Sequence, residues 1–292
     1  MTATGTPSTD GEQSPTRVLA MGAVLVVSLG AVIRGIDGWL SNPMQATVLG
    51  AVVVSFAMGR AGVPSARGGA RAWRRAVVSA GVVFVILAVA AAGAVAAGGA
   101  ISVAQPTAAV FFGLIESLFL ALRDEVWLHG IPLTFAARAR LPLRYGAIFA
   151  VLASVAAVAL ERSATPVGLA LVATSSAAFV ALWLKGRDAW APIGAHFAFS
   201  FGADALLGGE LLAVGPGAGN LTTGPSAHGI IAIVAALGFA AAAAGVPRLP
   251  IPQATQEEME DEPAEKPKKK ASKKKRKKRS STSRPKAEKK TS

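Results

Sequence analysis

The chain has 292 residues, of which 52% are hydrophobic and 16% charged, and its mean hydropathy is +0.47. A soluble domain carries about a quarter charged residues, so an ordinary water-soluble globule is excluded and a polytopic transmembrane helical bundle, all-α, is expected. With no cysteine, disulfides, thiolate metal sites and a cysteine nucleophile are excluded as well.

Residues 1–16 are rich in Ser, Thr and Gly and lack a basic n-region, so they read as a disordered N-terminus rather than a cleavable signal. A membrane-spanning helix needs roughly 20 mostly apolar residues. About eight such segments follow, near 18–33, 45–62, 76–99, 107–137, 145–162, 166–185, 189–207 and 226–246. Together they define a membrane domain over 17–248. Its Ala, Gly and Val richness suits close helix contact in lipid. The stretch 215–220 reads as an outer loop without a phosphate cradle.

Lys and Arg mark alternate connections. Arg60, Arg67, Arg71, Arg74 and Arg75 follow the second segment, Arg138, Arg140 and Arg144 the fourth, and Lys185 and Arg187 the sixth. One topology satisfies all of these, with both termini cytoplasmic, in what is expected to be the plasma membrane. Residues 249–292 form a tail with an acidic start and then a lysine run. Of the chain's 30 basic residues, 15 lie beyond residue 250. Such a composition cannot bury enough apolar surface to fold. Lys268, Lys269, Lys270, Lys273, Lys274, Lys275 and Arg276 are the expected contact with anionic lipid headgroups. RNA is the alternative partner, reached through its phosphates, and a plain solvated extension is the third reading.

Ionisable groups inside a span cost about 2.5–3.5 kcal/mol each on insertion scales and are functional suspects. The densest group is Arg123-Asp124-Glu125-Val126-Trp127-Leu128-His129-Gly130. If the fourth helix is unbroken, this group lies near mid-membrane, and Glu125 and His129, four apart, share a face. The competing reading ends the helix near Ala121 and makes 123–130 a loop. His196 lies on the seventh segment with Ser200 one turn on. A histidine with carboxylates can bind a metal or position a water. Asp204 and His228 read as polar groups at helix ends.

Asp124-Glu125-Val126-Trp127-Leu128-His129-Gly130 resembles the first motif (Glu-Glu-x-x-x-Arg, usually then Gly) of the CPBP intramembrane proteases. That family includes the type II CAAX prenyl endopeptidases and the bacteriocin-processing or Abi proteins. Trp190-Ala191-Pro192-Ile193-Gly194-Ala195-His196 resembles the lead and histidine of its third motif, His-x-x-x-Asn. The resemblance covers a core of about 105–207. It departs from the family in four places: Asp124 stands for the first Glu, His129 for the Arg, Ser200 for the Asn, and the second-motif histidine is missing. Glu161 or Arg162 occupies the position where that histidine would fall by spacing, and a looser alignment through Phe149 puts Ala153 there.

The resemblance implies an intramembrane endopeptidase that cleaves a peptide bond of a membrane-associated protein or peptide at the membrane face. Asp124 would be the base, Glu125 its acidic neighbour, His196 the holder of the water and Ser200 an oxyanion donor, with His129 and Glu161 in support. The water is activated either by the carboxylate alone or by a metal, in which case Zn2+ on His196, His129 and Glu125 would make this a metalloprotease. A pseudoprotease scaffold that binds partner proteins is the alternative. An unrelated small transporter is a further one, with no paired helix breaks to favour it.

Overall fold

The computed structural model describes residues 14–63, 70–159, 162–186, 188–208, 211–214 and 216–248. The candidate Glu161, the lysine tail with Lys268–Lys270, Lys273–Lys275 and Arg276, and most of the N-terminal segment lie outside the described residues. The rest is all-α save for one small sheet. In chain order come α1 (Pro15–Trp39), α2 (Pro43–Ala61), α3 (Ala70–Ala96), β1 (Ile101–Val103), α4 (Ala108–Asp124), α5 (Ile131–Arg138), α6 (Leu143–Ala159), α7 (Pro166–Gly186), α8 (Trp190–Ser200), β2 (Leu212–Val214) and α9 (Gly229–Gly245).

Local sequence explains several of the starts. Ser14, Asn42 and Thr107 accept from backbone N–H groups in the first turns of α1, α2 and α4, and Pro15 and Pro43 sit where a missing N–H is harmless. Helix α1 begins earlier and ends later than the expected 18–33. Pro15 is preorganised for the first turn, and the polar residues after Ile33 still form helix.

No break separates α4 from α5. Glu125–Gly130 is a π-helical turn that continues the rod, so the loop reading of 123–130 is overturned. The wide turn has a sequence cause: Pro132 has no N–H to give the carbonyl of Leu128, and its ring crowds that carbonyl. Ile131 N–H instead reaches back to Val126. A second π turn, Phe201–Leu206, extends α8.

Five helices are long and apolar enough to cross a membrane: Pro15–Trp39, Pro43–Ala61, Ala72–Ala96, Pro166–Gly186 and Gly229–Arg248. Large apolar side chains stand outward on them, including Val24, Phe56, Val85 and Leu237 at 63–67% exposure. Such a surface suits lipid and not water. The chain is an integral membrane protein.

Contacts between loops fix which connections share an end of the bundle. Strands β1 and β2 pair antiparallel, Ile101 opposite Val214, which joins the α3–α4 and α8–α9 connections. Thr165, ahead of α7, donates from N–H to Pro225 O at 2.8 Å, so the α6–α7 connection lies at that end too. At the opposite end Arg75 of α3 pairs with Asp188, whose carboxylate also accepts from Trp190 N–H and caps α8.

The apolar interior falls into two clusters. One is centred on α1, α2, α4 and α5, with Trp127, Ile131 and Phe135. The other is centred on α3, α7, α8 and α9, with Phe179, Phe199 and Phe239. Helix α7 is the most buried of the five, with half of its apolar stretch inside the bundle, and it supplies residues to both clusters. Helices α3 and α8 meet backbone to backbone. A Cβ on Gly194 would stand 2.3 Å from Ala76 O, and Ser79 Oγ donates across the contact to Ala191 O at 2.6 Å.

Candidate active site

The π turn aims two side chains inward at the seam between the clusters. Glu125 is fully buried and His129 is 2% exposed. Glu125 Oε2 accepts from His129 Nδ1 at 2.9 Å and from Trp183 Nε1 at 2.8 Å, while Oε1 meets Nδ1 of His196 at 2.9 Å. One carboxylate thus gathers ring N–H groups from its own turn, from α7 and from α8. Donors on both oxygens offset the cost of burying a carboxylate in an apolar interior.

The far side of His129 is also committed. Its Nε2 lies 2.7 Å from Ser176 Oγ and 3.1 Å from Ser154 Oγ; Ser176 donates to Ser154 at 3.0 Å and Ser154 to Ala150 O at 3.1 Å. The network therefore ties the α4–α5 rod to α6, α7 and α8.

His196 differs. Its ring stacks on Phe179, centroids 5.1 Å apart and planes 17° off parallel. With Nδ1 on Glu125, its Nε2 makes no hydrogen bond among the described residues, and its side chain is 13% exposed against 0% for Glu125. Ser200, one turn further along α8, is fully buried, and its Oγ is the one buried side-chain polar atom without a partner among the described residues. Chemically, this is an imidazole oriented by a carboxylate, with an open nitrogen and an unspent hydroxyl on the same helical face.

The structure places the other expected residues less centrally. Asp124, the expected base, is paired with Arg123 Nε at 2.7 Å, and Arg123 also reaches towards Asp37 at 4.0 Å. Asp124 hydrogen-bonds to neither histidine among the described residues. The reason is angular, because adjacent helical residues differ by about 100° in direction. Asp204 accepts from Thr223 N–H and Oγ1, and His228 Nδ1 faces Ser226 O beside the start of α9.

As arranged, Glu125, His129 and His196 do not fit a three-ligand zinc site. Both rings present Nδ1 to carboxylate oxygens, and the second nitrogen of His129 is held by serines. Among the described residues no group of three or more His, Cys, Asp or Glu is placed to hold a metal ion.

Trp183, Ser154, Ser176 and Phe179 escaped sequence reasoning. The available signals were a polar run, Thr174-Ser175-Ser176, inside an apolar helix and a lone indole near its end. No protein-family model, curated protein or solved structure matches the chain, so the motif resemblance stands on the residues quoted for it.

Proposed function

We propose that this protein is an intramembrane endopeptidase, crossing the membrane eight times with both termini cytoplasmic, that hydrolyses a peptide bond of a membrane-associated protein or peptide. The observation that carries the reading is the contact of Glu125 Oε1 with His196 Nδ1, which leaves Nε2 open on a partly exposed ring. In this reading Nε2 takes a proton from water, the hydroxide adds to the scissile carbonyl, and the same proton passes to the leaving amine as the C–N bond breaks. Glu125 fixes the tautomer and steadies the imidazolium. Ser200 Oγ, without another partner among the described residues, donates to the water or the oxyanion. His196 is six residues past the first residue of α8, about 9 Å along the helix. That end of α8 is the arginine-rich one, which suits a substrate presented at the cytoplasmic face.

The test is cleavage of membrane-anchored peptides by the protein in reconstituted membranes, with and without chelator. His196→Ala and Glu125→Gln should lose cleavage, Asp124→Asn should keep most of it, and chelator should have no effect. Cleavage by His196→Ala at the wild-type rate would end the reading.

A second reading, a pseudoprotease scaffold, is favoured by one observation: His129 has both ring nitrogens occupied and Asp124 is tied to Arg123, so neither is spare for chemistry. It expects a partner that co-purifies equally with wild type and His196→Ala.

A further inference from the structure

At the arginine-rich end of the bundle, α1, α2 and α5 leave an open groove of about 640 Å3. Its floor is apolar, formed by Met21 and Val24 of α1 and Phe135 of α5, and no acidic residue lines it. Arg17, Arg60 and Arg138 border it. They come from the first turn of α1 and the last turns of α2 and α5, so antiparallel packing gathers them at one end. Arg60 lies 4.9 Å over the ring of Phe56 and Arg138 lies 5.4 Å over that of Phe135, which holds both guanidiniums in place. Among the described residues none of the three has an acidic partner.

We propose that this groove binds an anionic phospholipid, one acyl chain lying along the α1 wall and the phosphate gripped by Arg17, Arg60 and Arg138. Charge complementarity selects the occupant. Three cations with no acidic partner among the described residues attract a net anionic headgroup at the membrane boundary, and guanidinium forks match phosphate oxygens. A zwitterionic lipid brings its own ammonium, which these arginines repel. The groove volume falls within the range of about 300–1,000 Å3 typical of ligand clefts. The inference rests on the membrane fold and is independent of the hydrolase reading.

The test uses the full chain, purified in neutral detergent, and reads the melting temperature with phosphatidylglycerol, phosphatidylcholine or inorganic phosphate. Two variants accompany wild type: R17Q/R60Q/R138Q, which removes the charge, and Met21→Trp, which fills the groove and leaves the arginines. The lysine tail is present throughout, so its own attraction for lipid is common to all arms. Phosphatidylglycerol should raise the wild-type melting temperature by about 3 °C or more over phosphatidylcholine. Both variants should lose at least half of that difference, and inorganic phosphate should leave wild type unchanged. Equal stabilisation of wild type by the two lipids would overturn the proposal. So would an undiminished preference in the triple variant, which would assign it to the tail. Inorganic phosphate reproducing the full shift would overturn it too, since the apolar wall would then contribute nothing.

Discussion

Glu125 is the residue on which the interior chemistry turns. A carboxylate in an apolar bundle is expensive, and here each oxygen has a donor, two on Oε2 and one on Oε1. Glu125→Gln removes the charge and keeps the shape. Its one amide oxygen cannot accept on both sides, from His196 and from His129 and Trp183, and the imidazolium of His196 loses its counter-charge, so cleavage should fall by about 10²–10⁴-fold, the usual weight of the general base that Glu125 positions. Asp124→Asn, next door, should cost less than tenfold. Equal losses in a kcat comparison would give Asp124 the same weight as Glu125 and undo the distinction drawn between them. On the other side of the network, Ser176→Ala withdraws the nearer of two hydroxyls from His129 Nε2 and should destabilise by about 1 kcal/mol, while S154A/S176A orphans the nitrogen and should cost about 2–3 kcal/mol. Thermal denaturation in detergent measures both, and a double variant as stable as wild type would show the serines to be bystanders.

Among the elements, the α4–α5 rod sets the geometry. Its π turn exists because Pro132 cannot close the α-helical ladder, and π turns recur where helices present functional groups. Pro132→Ala restores the missing N–H and lets the turn tighten to α-helix, which rotates Glu125 against the rest of the rod by about 100°. The variant should keep its helical circular dichroism, gain stability, and lose cleavage by about tenfold or more. Unchanged cleavage would show that the wide turn is not needed to aim Glu125. The α3–α8 contact carries a different demand. Gly194 has Ala76 O where a Cβ would go, so Gly194→Val must separate the two helices and should lower the yield of folded protein. Detergent size-exclusion profiles indistinguishable from wild type would contradict that.

For the whole molecule, connections that alternate in charge also alternate in place. Pairing of β1 with β2 and the Thr165–Pro225 contact hold at one end three connections that contain no Lys and only Arg162 among them, and the Arg75–Asp188 pair marks the other. Because the chain has no cysteine, single cysteines can be placed directly for labelling from one side of the membrane. Arg140→Cys and Gly217→Cys should react with an impermeant maleimide from opposite faces, Arg140→Cys from the cytoplasmic one. Labelling of both from the same face would break the proposed eight-span topology.

Composition alone determined that this is a helical membrane protein, because a backbone in lipid must satisfy itself and the apolar runs have the length to do so. The sequence also put Glu125 and His129 on one helical face, since a four-residue spacing returns side chains to the same side, and marked His196 and Ser200 as a pair on another helix. The motif resemblance favoured Asp124 over Glu125 as the base, and nothing in it pointed to Trp183, Ser154 and Ser176. Spacing fixes which residues share a face of one helix. Which face meets the seam depends on the phase imposed by a π turn and on three neighbouring helices far away in the chain. Only the packed bundle decides that Glu125 looks inward, that Arg123 claims Asp124, and that His196 keeps one nitrogen without a partner among the described residues.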